Sequence, residues 1–228
     1  MQESEDRYPR PIATVDAVIL TLSDGKLHVL LHRRPQAPFA GAWALPGGFI
    51  REAEDADTEA AIGRVLREKA GAAGFWVEQL ATFSGPVRDP RGWSVSVAYM
   101  ALVPRDRLPV ETESVRLFDV DALPPLAFDH GRIVAAGLAR LRGKGAYSTL
   151  PATLLGETFT LRELQDAYEV VLGQTLDDSS FRRKVSELRL VEEVPGAERR
   201  PVGGGRPSKL FRLSGDPRTF DRTLGAAV

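Results

Sequence analysis

The chain has 228 residues, with 30 Lys and Arg against 31 Asp and Glu, for a net charge of −1. That length suits one large domain or two modest ones, and the charge balance excludes a protein coated in positive charge while leaving room for local basic patches. There is no cysteine, which rules out disulfides and thiolate metal sites.

No stretch approaches the roughly 18 apolar residues that span a bilayer. The start, "MQESEDRYPRP", has no apolar run of the signal-peptide kind. The expectation is a cytoplasmic protein with no membrane partner.

In chain order, "ATVDAVILTL" and "KLHVLLHRR" are rich in β-branched residues and leucine, and the "SDGK" between them carries hairpin turn chemistry. "AEDADTEAAIGRVLREKAG" predicts a helix with Gly71 as its C-terminal stop. "FWVEQLATFSG" and "GWSVSVAYMALVP" predict two more strands. In the second, Val95, Val97 and Tyr99 alternate with Ser94, Ser96 and Ala98. A second helix is expected over residues 129–142, with Ile133, Ala136, Gly137 and Arg140 at helical spacing. This half is a mixed α/β domain.

"RGKGAYSTLPA" is rich in Gly, Ser and Pro and reads as the boundary, dividing residues 1–146 from 147–228. Gly143, Gly145 and Ser148 are the hinge candidates there. Beyond it, Thr160 and Glu163 form a capping box. Leu161, Leu164, Tyr168, Val171 and Leu172 then make one apolar stripe. "LDDSSFRRKVSELRL" follows as a second helix, capped by Asp178 or Ser179, with Phe181, Val185 and Leu188 turned inward. The chain closes with "LVEEV", a polar tip "PGAERRPVGGGRP" and "SKLFRL". Helix, turn, helix and hairpin is the winged helix-turn-helix pattern.

The run "LPGGF" followed by "EAAIGRVLREKAG" resembles the Nudix box, G-x5-E-x7-R-E-U-x-E-E-x-G-U with U aliphatic. Aligned from its C-terminal end, Gly71 takes the final glycine, Leu66 the aliphatic position and Arg64 the arginine. Glu68 takes one of the three helix glutamates, while Val65 and Lys69 occupy the other two. Positions i, i+3 and i+4 share one helix face, and three carboxylates there would hold Mg²⁺ against a diphosphate. Valine offers no ligand, and lysine sets a positive charge at the metal position. The spacing from Gly48 to Arg64 is also two residues longer than the pattern, and rescue by Glu52, Glu54 or Asp55 in the added loop is not expected. The box keeps the frame of a hydrolase and has lost its ligands, so no metal, no cofactor and no catalytic residue is expected, only the vestigial Arg64 and Glu68.

A ligand cavity does not need those carboxylates. Arg33, Arg34, Phe39 and Trp43 lie near the glycine turn of Gly47, Gly48 and Phe49, and "GPVRDPRGWS" adds Arg88 and Arg91. Arginine suits bidentate clamping of diphosphate oxygens, and aromatic rings stack on nucleobases. His130 in "FDHGRI" begins a helix, as a capping or packing residue or as a ligand contact. In the second half, Ser180, Arg182, Arg183 and Lys184 mostly face outward or sideways, and Arg199, Arg200, Arg206, Lys209 and Arg212 lie on or beside the hairpin. These residue types contact phosphates and base edges, so Ser180, Arg182, Arg183, Lys184, Arg206 and Lys209 are the DNA-binding candidates. "GGGRPSK" at the tip would let backbone approach a minor groove.

A degenerate Nudix-like sandwich domain followed by a winged helix resembles the Nudix-related transcriptional regulators of the NrtR type, which repress NAD metabolism genes. "VDAVILTL", "RDPRGWSVSVAYMALV", "AFDH", "FTLRELQDAYE", "FRRKVSEL" and "GRPSKLFRL" carry the resemblance over nearly the whole chain. It implies a homodimer on a palindromic double-stranded operator, and a nucleotide effector, commonly ADP-ribose, that fits the old substrate pocket and releases DNA. The alternatives are an active hydrolase of ADP-ribose or a nucleoside diphosphate derivative, and a regulator of the same build sensing ATP or a sugar metabolite.

Overall fold

The first hairpin is set by its turn. β1 (Ile12–Ser23) and β2 (Lys26–Arg33) pair antiparallel out to Ser23 and Lys26, and Asp24 and Gly25 between them hold φ of 50° and 71°. Two successive left-handed residues match the twist of the flanking strands. This is a computed structural model, and it describes residues 10–71, 74–200, 205–220 and 224.

Next come β3 (Trp43–Ala44), β4 (Gly47–Phe49), α1 (Thr58–Ala70), β5 (Trp76–Gly85), β6 (Ser94–Leu102), β7 (Val115–Asp119) and α2 (His130–Gly145). The sheet runs β3-β2-β1-β6-β5, with β4 on β1 and β7 on β2. β1 and β6 are parallel and the other pairs antiparallel. Alternation along β1 feeds two cores. Val15, Ala17 and Ile19 pack with Ile62, Val65 and Leu66 of α1, whereas Val18 and Leu20 pack with Ile133, Val134 and Leu141 of α2. A sheet with a helix on each face buries such strands completely.

α1 starts later than its sequence suggests, at Thr58 instead of near Ala53. The Asp57 side chain caps it by accepting from the Ala60 amide at 2.7 Å, which ends the non-helical loop there. Gly71 closes it in a left-handed conformation, as expected.

The second half contains α3 (Leu161–Leu172), α4 (Asp178–Glu187), β8 (Val191–Arg199) and β9 (Ser208–Leu213). The Thr160–Glu163 capping box forms in both directions. The α4 cap is Asp177, not Asp178 or Ser179. Its carboxylate accepts from the Ser180 amide at 2.9 Å, and Asp178 is left to pair with Arg182. β8 runs on through Pro195 to Arg199, so part of the expected tip is strand, with an irregular register between Glu193 and Glu198. Of the tip's glycine run, only Gly205 is among the described residues. Phe159, Leu164, Tyr168, Phe181, Val185 and Leu190 make this half's core.

The boundary is not a loose hinge. α2 continues to Gly145, so both hinge glycines are helical. A Cβ on Gly145 would stand 2.8 Å from Val171 Cγ1 of α3, so the two helices touch at a position only glycine fits. Ser148 and Thr149 are buried, Tyr168 donates to the Ser148 carbonyl at 2.7 Å, and the segment is zipped to the C-terminal chain. The Thr149 amide donates to Arg218 O, the Phe220 amide to Tyr147 O and the Leu224 amide to Ala146 O, at 2.7–2.9 Å. Leu150, Leu154 and Val171 join the core beneath α2. Small, polar residues predict a flexible joint, yet here their size allows close packing and their hydroxyls are bonded.

Candidate functional site

A cavity of about 630 Å³ opens between the N-terminal half of β1, the glycine turn, the last turn of α1, the β5–β6 loop and the N-terminus of α2. A larger groove of about 1100 Å³ lies at the junction with the second half, lined by Trp76, Leu102, Phe159 and Pro217 among others, away from the glycine turn. The smaller cavity gathers the charged and aromatic candidates.

Its floor depends on one glycine. Gly47 pairs with Asp16 across β4 and β1, and a Cβ at Gly47 would stand 2.0 Å from Asp16 Oδ1 and 2.8 Å from Val15 O. Asp16 is buried, accepts from Ser96 Oγ at 2.5 Å and faces His130 Nε2 at 3.6 Å. The Leu45 amide donates to His130 Nδ1 at 2.9 Å, so in the neutral ring the proton sits on Nε2, toward Asp16. Burial holds the His130 pKa below its ordinary value against the pull of Asp16. His130 thus braces the turn from the back wall.

The box helix shows what became of the metal positions. Val65 is fully buried, with its Cγ2 3.6 Å from where a Cβ on Gly48 would lie. Lys69 donates its ammonium to the Gly47 carbonyl, and desolvation at that end lowers its pKa although much of the side chain is exposed. Glu68 is held between Arg51 at 3.3 Å and Arg64 at 3.6 Å. Arg64 is engaged elsewhere too: it makes a two-pronged pair with Asp55 at 2.8 and 2.6 Å and donates to Phe49 O. These hydrogen bonds hold the Asp55 pKa down to about 2. Glu54 pairs with Arg51. Of the longer loop's carboxylates, Asp55 therefore partners Arg64 and Glu54 partners Arg51, while Glu52 lies exposed. Among the described residues no three His, Asp or Glu side chains converge as a cation site. Mg²⁺ prefers carboxylates free to ligate, and the residues present do not fit it.

The arginines separate into distinct kinds. Arg34 lines the cavity, its guanidinium carbon 4.7 Å from the centroid of the Phe128 ring, its Nε donating to Pro38 O; burial lowers its pKa. Arg91 lies over the Phe49 and Phe128 rings at 5.1 and 5.9 Å and is bound to Asp89 at 2.6 Å. Arg33 donates to Gly41 O at the rim. Arg88 is different: its side chain is 7% exposed, bonded to Asp129 at 2.9 and 3.2 Å and to Ser94 Oγ at 3.3 Å, with Asp16 at 3.9 Å. It is a buried strut. Trp43 does not line the cavity. It stacks edge-on against Phe118, centroids 4.9 Å apart, on the core beneath α2. The aromatic walls are instead Phe49 and Phe128, with Phe39 edge-on to Phe128. Sequence reasoning missed Phe128, which φ of 55° turns in beside His130, and also Asp16 and His32. The neighbourhood of Phe128 to the named His130 was the available signal; Asp16 was hidden inside an apolar strand.

In the second half, α4 exposes Arg182 and Arg183, with Lys184 half-buried on the flank of Phe181 and Val185. Arg182 pairs with Asp178 at 3.0 Å and Arg183 with Glu187 at 3.9 Å, both exposed i,i+4 pairs that contribute little to stability. Ser180 lies partly buried in the first turn. On the wing, Arg206 is exposed and Lys209 pairs with Glu193 at 2.8 Å. Arg199 serves another purpose, tying the wing to Glu163 at 2.6 Å and Thr158 O. Arg212 likewise pairs with Glu192 on the neighbouring strand.

A Nudix-type domain packed through α2 against a winged helix defines a Nudix-related transcriptional regulator. Residues 11–137 match the NUDIX domain and residues 151–213 the NrtR DNA-binding winged helix domain. The chain belongs to the NrtR family. It is 38% identical over 219 residues to the ADPR responsive transcriptional repressor NtrR of Acinetobacter baylyi, across 93% of this chain and 86% of that one. The crystal structure of Shewanella oneidensis NrtR complexed with a 27mer DNA matches 92% of this chain and 98% of its own, at 38% identity and a TM-score of 0.84. The NUDIX domain of Shewanella NrtR complexed with ADP ribose matches 61% of this chain and 94% of its own, at 36% identity and a TM-score of 0.57. Among the described residues no helix is long and apolar enough to cross a membrane.

Proposed function

We propose that this chain is a transcriptional repressor that binds operator DNA through its winged helix and releases it when ADP-ribose, or a close relative, enters the Nudix cavity. One observation carries the reading: α2 begins at the cavity wall with His130, beside the Arg88–Asp129 pair, and ends packed on α3 through Gly145. The two halves share that helix and the core beneath it, so a ligand that shifts the start of α2 shifts the winged helix. A ligand changes DNA affinity only by binding the two states unequally.

On this reading Ser180, Arg182, Arg183, Lys184, Arg206 and Lys209 meet the duplex, and Arg33, Arg34, Gly47, Gly48, Phe49, Glu68 and Arg91 surround the nucleotide, with Arg88 behind them. The protein acts as a homodimer, because two recognition helices must reach successive major grooves about 34–36 Å apart. It does not hydrolyse its effector, because Val65 and Lys69 stand where carboxylates are needed and Glu68 is tied to two arginines.

The test starts from an operator selected out of a random duplex library with the full chain. Fluorescence anisotropy then follows operator affinity with ADP-ribose, NAD, ATP and sugar phosphates. ADP-ribose is expected to weaken operator binding, and operator to weaken ADP-ribose binding by the same factor. Operator affinity that no nucleotide changes refutes the reading. Mg²⁺-dependent release of AMP from ADP-ribose at about 1 s⁻¹ or faster refutes the non-hydrolytic part.

A further inference from the structure

The cavity carries charges of both signs, but they are unevenly paired. Asp89 is bound to Arg91, Glu68 to Arg51 and Arg64, and Asp16 to Ser96 with Arg88 and His130 close by. Besides Arg33 at the rim, which donates to Gly41 O, two lining cations have only carbonyl partners. Arg34 donates to Pro38 O and Gln36 O, and Lys69 donates to Gly47 O. Among the described residues neither has a carboxylate within ion-pair distance. Burial lowers the pKa of both, and at Lys69 the charge of Arg34 adds to burial against the pull of Asp16. Paired cations without counter-ions, facing one cavity, are completed by an anion.

We propose that Lys69 is a built-in counter-ion that replaces the metal: its ammonium, with Arg34, neutralises the effector's diphosphate, and binding needs no divalent cation. The proposal rests on the reading that a nucleotide diphosphate enters this cavity. Lys69 sits at the helix position where the Nudix box has a glutamate, one turn past Val65 and beside Gly47 and Gly48, the backbone that a diphosphate on this floor would meet. A glutamate there would attract Mg²⁺; a lysine repels it and supplies positive charge directly. The substitution also separates binding from cleavage. An ammonium offsets phosphate charge but does not lower the pKa of a water by coordinating it.

The experiment is calorimetric titration of ADP-ribose into the full-length protein, in EDTA and in Mg²⁺. The parent is expected to bind equally in both. Lys69→Ala should weaken binding at least tenfold, and Lys69→Arg should recover most of it, showing that the charge and not the fold was lost. Lys69→Glu should bind poorly in EDTA and better in Mg²⁺. Thermal melts within a few degrees of the parent establish that the variants are folded. Parent binding that collapses in EDTA, or Lys69→Ala that binds like the parent, overturns the role of Lys69 while leaving the nucleotide reading intact. Absence of ADP-ribose binding by the parent in either buffer overturns both.

Discussion

Replacing Arg88 by alanine should damage the fold, while the same change at Arg91 should act mainly on the ligand. Arg88 is 7% exposed and Asp129, its partner, 10% exposed; three hydrogen bonds and the nearby Asp16 surround the guanidinium. Its removal strips Asp129 of its charged partner and leaves Asp16 with Ser96 and His130 alone, and breaking a buried pair from one side costs about 3–5 kcal/mol. For a chain of this size about 1 kcal/mol moves Tm by roughly 2–4 °C, so Arg88→Ala should melt about 6–20 °C early. Arg91 is 37% exposed and its loss affects mainly Asp89, which keeps a backbone donor. That costs about 1–2 kcal/mol. Differential scanning calorimetry of both variants measures the contrast. The double variant Arg88→Ala/Asp129→Asn should lose less than the sum of its parts, since it removes an orphaned charge. A Tm for Arg88→Ala within a few degrees of the parent, or an additive double variant, would refute the buried-strut argument.

Other outcomes can be stated. His32, whose pKa burial pushes down to about 4 with Lys69 and Arg34 adding to it, stays neutral in the folded state. As pH falls from about 6.5 to 4 the unfolded chain takes up that proton first, so stability should drop over this window by about 2–3 kcal/mol. Urea titrations should show the slope reduced in His32→Gln; an unchanged slope would place it in other groups. Alanine at Arg182, Arg183 and Lys184 together should weaken operator binding, by about 1–3 kcal/mol for each base contact and with a salt slope shallower by about 1 for each phosphate contact; parent-like affinity would show the recognition helix misassigned. Gly143→Ala, in open space within α2, should raise stability by up to about 1 kcal/mol and keep the response to nucleotide. Gly145→Ala should lose stability through its contact with Val171. A response abolished by Gly143→Ala would restore the hinge that the structure replaces with helix.

Local chemistry in the sequence determined much of this protein. The Asp24–Gly25 turn, the alternation along β1 and β6, the Gly71 stop and the Thr160–Glu163 box each depend on residues a few positions apart. The loss of carboxylates at Val65 and Lys69 is likewise legible, because helix spacing alone places them on one face. What needed the tertiary structure involves partners far apart in the chain. Arg88 reads like Arg91 until Asp129, forty-one residues on, takes its guanidinium. Trp43 reads as a stacking residue until the short β3 turns it onto Phe118. Asp55 reads as one more loop carboxylate until Arg64 claims both its oxygens. Gly145 and Ser148 read as flexible because composition records a residue's freedom and not the neighbour that removes it, here Val171 and the returning C-terminal segment.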